Sequence, residues 1–236
     1  MAAERVAAVR RVRLQVPQDE LALLYARIRE CKARGEHGAG VVPSEFVDEL
    51  VDYWVERYDW RTHEDRLNAY EHFATEIGGQ FVHFVHLRCA DPDAGAVLLT
   101  HMWPSGVMDV LDAAGPLSSG HHLVMPSIAW TALAEPAGWG RLMRRLGYDE
   151  YVVRDDRGEV PPAVAEETAE RRGFGPEELA EVRWFNENLN AVNEQQQIRA
   201  LVLSAAMLAW NAQQGDRDAI LTGVMLAWFS PRLQVE

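Results

Sequence analysis

Three short apolar runs constrain this chain most: "AVLLT" at 96–100, "HLVMP" at 122–126 and "YVV" at 151–153. Each is four to five residues or fewer, and they are separated by stretches with helical patterning, from Val107 to Ala114 and over "RLMRRLGY". Continuous apolar runs without alternation are buried on both faces, and runs joined by helices pair in parallel. An α/β architecture follows, with a reduced parallel sheet of three or four strands. Upstream, "FATEIGGQFVHFVHLR" alternates apolar and polar residues around Gly78-Gly79, the pattern of a β-hairpin.

Helices flank this centre. A strand candidate, "VRLQV", leads to Pro17, which opens a helix with Leu21, Leu24, Tyr25 and Ile28 on one face. A Gly-rich break, "ARGEHGAG", ends it, and Ser44 is placed to cap a second helix carrying Phe46, Val47, Leu50, Val51 and Trp54. From Arg154, "RDDRGEVPPAVAEE" reads as a charged loop, and beyond Gly175-Pro176 the chain reads as helices: "PEELAEVRWFNENLNAV", "EQQQIRALVLSAAMLAWNAQ" and "RDAILTGVMLAWF". The organisation expected is an N-terminal segment over 1–90, a core over 91–160 and a helical region over 161–236, packed as one unit.

Charge and composition exclude some functions. The net charge of −13 repels a phosphate backbone, and no Lys/Arg stripe offsets it, so nucleic acid is not an expected partner. Cys31 and Cys89 lack the spacing of a zinc or redox pair and are expected as reduced thiols in a cytoplasmic protein. No run approaches the length of a membrane span, and a soluble chain is expected. His83 and His86 lie three apart on a strand and face opposite sides, so they are poor joint metal ligands. Adjacent His121 and His122 fail for the same reason. The charges of "WRTHEDRLNAYEH" read as structural, and no cofactor or metal is called for.

The stretches "VPQDELALLYARI", "ELVDYWVERYDWRTHEDRLNAYEHFATEIGGQFVHFVHLR", "LLTHMWP", "HLVMPS", "LMRRLGYDEY" and "DAILTGVMLAWF" occur in the same order as in the microsomal-type epoxide hydrolases, which they resemble. The resemblance implies an α/β-hydrolase fold with a characteristic N-terminal segment and a helical cap. It also implies a chemistry: an aspartate attacks the epoxide carbon to form an ester, and a histidine oriented by an acid activates water to cleave it. Two cap tyrosines bind the epoxide oxygen, and backbone near a His-Gly-x-Pro motif forms the oxyanion hole.

This sequence departs from that pattern at each part. The His-Gly-x-Pro motif stands here as His101-Met102-Trp103-Pro104. Methionine brings a flexible apolar side chain to a position where glycine lets the backbone approach an oxyanion. The glycine-flanked elbow of the nucleophile corresponds to "YVVRDDRGE", with Arg157 or, after a one-residue gap, Asp156 at the nucleophile position. Asp155 and Asp156 are either a pocket carboxylate or part of a solvated loop. Counting back from "MLAW" puts Trp184-Phe185 at the first cap tyrosine, with Phe185 lacking the hydroxyl. The acid, second tyrosine and histidine of the family lie beyond the "LTGVMLAWF" helix, so their parts are expected to be missing here.

Three readings follow. In the first, the chain is a repurposed enzyme, a cyclase or isomerase that shapes an apolar small-molecule substrate in specialised biosynthesis, with Met102, Trp103, Trp130, Trp184, Phe185, Trp210 and Trp228 as pocket walls and Asp155, Asp156 or His101 as acid or base. Each aromatic is also what core packing would place there. In the second, it is a non-catalytic ligand-binding or partner protein, and the open edge of a shortened sheet makes a homodimer plausible under either reading. In the third, it is a residual epoxide hydrolase using Asp156.

Overall fold

The computed structural model describes residues 8–35, 42–77, 80–100, 107–127, 136–155, 158–160, 193–212, 215–229 and 234–235. Among the described residues eight strands form one mixed sheet, in the order β7 (Gly158–Val160), β6 (Tyr151–Asp155), β4 (Ala96–Leu99), β5 (His122–Pro126), β3 (Gln80–Leu87), β2 (His72–Ile77), β1 (Arg10–Arg13) and β8 (Gln234–Val235). Its centre is the parallel set expected: β4 (Ala96–Leu99) lies between β5 (His122–Pro126) and β6 (Tyr151–Asp155), parallel to both. The remaining pairings are antiparallel. The hairpin of β2 (His72–Ile77) and β3 (Gln80–Leu87) joins the parallel set through β3 and β5. Beyond it lie β1 (Arg10–Arg13) and the two-residue β8 (Gln234–Val235), and β7 (Gly158–Val160) forms the opposite edge.

Alternation along the strands divides the core in two. Val97 and Leu99 of β4 point into a large cluster with residues of α1 (Gln18–Ala33), α2 (Ser44–Glu56), α4 (Val107–Ser118), α6 (Glu194–Asn211) and α7 (Arg217–Phe229). Ala96 and Leu98 point the other way, into a smaller cluster with Leu142 and Met143 of α5 (Pro136–Arg145). The short apolar runs are therefore apolar throughout because helices cover both faces. On α1 the residues that meet the core are Leu21, Leu24, Ile28 and Cys31, the face expected from their spacing.

The "WRTHEDRLN" stretch forms α3 (Trp60–Leu67) and works as a clamp on the N-terminal strand. Asp59 caps it by accepting from Arg61 N at 3.0 Å. The buried Glu64 accepts from Val16 N at 2.7 Å and from Trp60 Nε1 at 3.0 Å, and it pairs with Arg61, which donates to the Val16 carbonyl at 2.8 Å. Asn68 exchanges hydrogen bonds with both backbone groups of Leu14, at 3.2 and 2.7 Å. These contacts bear out the structural reading of those charges.

Some local expectations change. Ser44 is the first residue of α2 and caps nothing by its side chain; Pro43 occupies the cap position, its fixed φ suiting a helix start. The strand β1 covers Arg10–Arg13, two residues earlier than "VRLQV" predicts, because Leu14 and Val16 are held by Asn68 and Glu64 instead of by a neighbouring strand. Both cysteines are free thiols. Among the described residues no helix is long and apolar enough to cross a membrane.

Candidate functional site

In open α/β sheets ligands bind beyond the carboxyl ends of the parallel strands. Here those ends are level: Leu98 pairs with Val124, Leu99 pairs with Arg154, and Thr100 N donates to the Arg154 carbonyl at 2.8 Å. His101, Met102 and Trp103, in 101–106, Trp130, in 128–135, and Asp156, in 156–157, lie outside the described residues. Trp184 and Phe185 are likewise outside them.

Asp155 is placed, as the last residue of β6, opposite Gly158 of β7. The stretch "RDDRGEV", expected as a loop, is an antiparallel hairpin with a two-residue connection, 156–157. A nucleophile elbow is a strand, a sharp turn and a helix. The strand in that position of this sheet turns back on itself and continues as β7.

The two described tryptophans stand elsewhere. Trp210, at the end of α6, is 44% exposed and packs edge-on against Phe46 at 5.2 Å. Trp228 is half-buried beside Phe229 and lines a groove of about 150 Å³ whose other walls are Glu20, Leu23, Leu24, Arg27 and Glu194. That groove is walled by helices alone and is small against the roughly 300 Å³ of ordinary small-molecule sites.

At the carboxyl end of β5 the structure assembles polar residues that sequence reasoning did not single out as a site. Ser127, directly after β5, is buried, and its Oγ lies 2.5 Å from His83 Nδ1. His83 Nε2 lies 3.0 Å from His72 Nδ1, and the two rings stack with centroids 5.0 Å apart. His72 Nε2 is 2.7 Å from the Leu67 carbonyl. A carbonyl only accepts, so the tautomers are fixed in series. His72 donates from Nε2 to Leu67, His83 donates from Nε2 to His72 Nδ1, and the Ser127 hydroxyl is shared between His83 Nδ1 and the His83 carbonyl, the latter at 3.2 Å. Burial lowers the pKa of both imidazoles, that of His83 well below its ordinary value, with His72 adding to the effect on His83. Half of this array is legible in the sequence: the alternation on either side of Gly78-Gly79 implies the register that sets Ala74 against His83, and His72 is then its diagonal neighbour. Ser127 joins only through the β3–β5 pairing, forty-four residues away.

On the opposite face His86 Nε2 meets Tyr148 Oη at 2.9 Å, as the strand spacing required of His83 and His86. Burial first, then the charges of Arg88 and His122, lower the His86 pKa to about 4. His122 packs on the same tyrosine ring at 5.4 Å and accepts from Cys89 N at 3.1 Å. This second cluster joins the amino end of β5 to the turn after α5.

Residues 9–110 match the family model described as epoxide hydrolase N terminus. Among relatives in sequence, a putative epoxide hydrolase of Stigmatella aurantiaca is 30% identical over 171 residues, covering 60% of this chain and 38% of that protein. Epoxide hydrolase 1 of Sus scrofa is 24% identical, covering 62% and 39%. The match thus spans about two fifths of the length of these relatives. Among solved structures, the juvenile hormone epoxide hydrolase of Bombyx mori superposes with a TM-score of 0.58 at 18% identity, covering 95% of this chain and 73% of that one. The Aspergillus niger epoxide hydrolase gives 0.60 at 18%, covering 94% and 75%. The likeness to these structures carries the fold, a reduced α/β-hydrolase sheet, and the matches in sequence make the chain similar to epoxide hydrolases over its N-terminal part.

Proposed function

We propose that this chain is an epoxide-hydrolase-like protein that no longer runs the two-step hydrolysis and instead acts as a cyclase or isomerase, shaping an apolar intermediate in specialised biosynthesis. The observation that carries the reading is the β6–β7 hairpin: Asp155 pairs with Gly158, and the chain continues as a strand where the elbow needs a helix. A strand there stands in place of the helix that follows the nucleophile in an elbow. The sequence adds support at the oxyanion loop, where Met102 stands in the glycine position and Trp103 follows it. Large apolar groups there favour a shaped pocket over a charge-stabilising one. Such a pocket accelerates a cyclisation by holding reacting ends together, and a single group, Asp155, Asp156 or His101, suffices to move a proton.

The test is to incubate the purified chain with styrene oxide and, separately, with a panel of apolar epoxy-olefins, following both by mass spectrometry. Little or no diol above the uncatalysed rate is expected, with isomerised or cyclised product from one of the olefins. Met102→Gly and Trp103→Ala should lower that conversion more than Asp155→Ala does. Diol formation at ordinary enzyme rates, abolished by Asp156→Ala, would overturn the reading. Stoichiometric retention of one compound without turnover would make the protein a ligand-binding one.

A further inference from the structure

We propose that Ser127, His83 and His72 form a second reactive centre, in which Ser127 is a hydroxyl nucleophile for small apolar carboxylic esters. The inference is independent of the β6–β7 hairpin and of the cyclase reading. Three geometric conditions define an activated hydroxyl: a base within hydrogen-bond reach, a group that orients the base, and an anchor that fixes the orienting group. All three are met, at 2.5 Å from Ser127 Oγ to His83 Nδ1, 3.0 Å from His83 Nε2 to His72 Nδ1, and 2.7 Å from His72 Nε2 to the Leu67 carbonyl.

The array also accommodates the proton it would have to take. When Ser127 Oγ attacks the ester carbonyl carbon, an O–C bond forms and the hydroxyl proton passes to His83 Nδ1. The resulting imidazolium still donates from Nε2 to His72 Nδ1, so the bond that orients His83 is kept, while the contact of Ser127 Oγ with the His83 carbonyl is given up. Collapse of the tetrahedral adduct breaks the bond to the leaving alkoxide, which takes the proton from His83 and departs as the alcohol. Water then repeats the sequence on the acyl-serine, releasing the acid and restoring both residues. Burial lowers both pKa values, which leaves Nδ1 of His83 unprotonated and able to accept. The same burial makes the imidazolium costly, so the proton stays on His83 only for the life of the tetrahedral adduct.

Position agrees with chemistry. Ser127 follows the last residue of β5, beside the ends of β4 and β6 where ligands of such sheets bind. It is 4% exposed and its N–H is engaged by the His83 carbonyl at 3.1 Å, so the substrate must be small and apolar and the developing oxyanion must find donors other than the Ser127 amide. His72 touches no reacting atom in this scheme and is a positioning residue.

The experiment treats the full chain with p-nitrophenyl acetate and with diisopropyl fluorophosphate, and maps adducts by intact mass and peptide mass spectrometry. One adduct per chain on Ser127 is expected, absent in Ser127→Ala. His83→Gln should slow labelling at least a hundredfold, the size of a general-base contribution. His72→Gln preserves a donor to Leu67 and an acceptor for His83, so it should label within about threefold of wild type, whereas His72→Leu should fall toward His83→Gln. An adduct on another residue, or none on a wild-type chain with native circular dichroism, overturns the proposal, and that outcome needs no variant to fold. Equal labelling of His83→Gln and wild type overturns it as well.

Discussion

Glu64 shows at the residue scale how one side chain fixes the path of a segment. It is a buried carboxylate held by Val16 N, Trp60 Nε1 and Arg61, and its removal leaves two buried donors without partners. Each such donor costs about 1–3 kcal/mol, so Glu64→Ala should lower stability by on the order of 3 kcal/mol, read as a shift in urea midpoint with unchanged slope. Gly147 is a second case. Its φ of 93° ends α5 in a conformation that suits glycine, and the next residue, Tyr148, returns its N–H to Met143 and its hydroxyl to His86. Gly147→Val should cost about 1–3 kcal/mol in thermal or urea unfolding. The sequence shows these residues plainly, yet neither role could be assigned from it, since Val16 and His86 are reached only after folding.

Elements differ in how far local pattern settles them. Helix α6 begins as its sequence demands, with Asn193 and Gln196 in a capping box, each side chain bonded to the other's backbone. Asn193→Ala should destabilise the chain by about 1 kcal/mol and raise amide exchange in the first turn of α6. The β2–β3 hairpin is equally legible, since strict alternation around Gly78-Gly79 leaves one register that keeps Val82 and Phe84 inside. The hairpin of β6 and β7 is the opposite case. "RDDRGEV" is charged and carries no apolar alternation, so propensity favours a loop. It forms strand because β4 offers a parallel partner to β6, and β6 in turn offers its free edge to β7.

At the scale of the whole molecule, acid should act through the buried histidines. His72, His83 and His86 all have pKa values lowered by burial, His86 to about 4. Their unfolded values lie near 6.5, so between those limits the unfolded chain binds more protons than the folded one. Stability is therefore fully present above about pH 6.5 and lost as pH falls toward 4, with His86 alone contributing about 3 kcal/mol. Urea midpoints measured from pH 7.5 to 4.5 should fall along this window, and His86→Gln should flatten the curve. An unchanged midpoint between pH 7.5 and 5 would show that these imidazoles are not neutral in the folded chain.

The sequence by itself determined the layers: apolar runs covered on both faces, a hairpin with one acceptable register, and helices with one apolar side, in an order that resembles the epoxide hydrolases. These are local periodicities, and burial of apolar surface acts on them wherever the partner lies. Only the tertiary structure decided that β6 feeds a hairpin, that Trp210 stands on the surface, and that Ser127 meets His83 and His72 in one buried array. Hydrogen bonds act over about 3 Å, so such a site exists only once strands distant in sequence have paired.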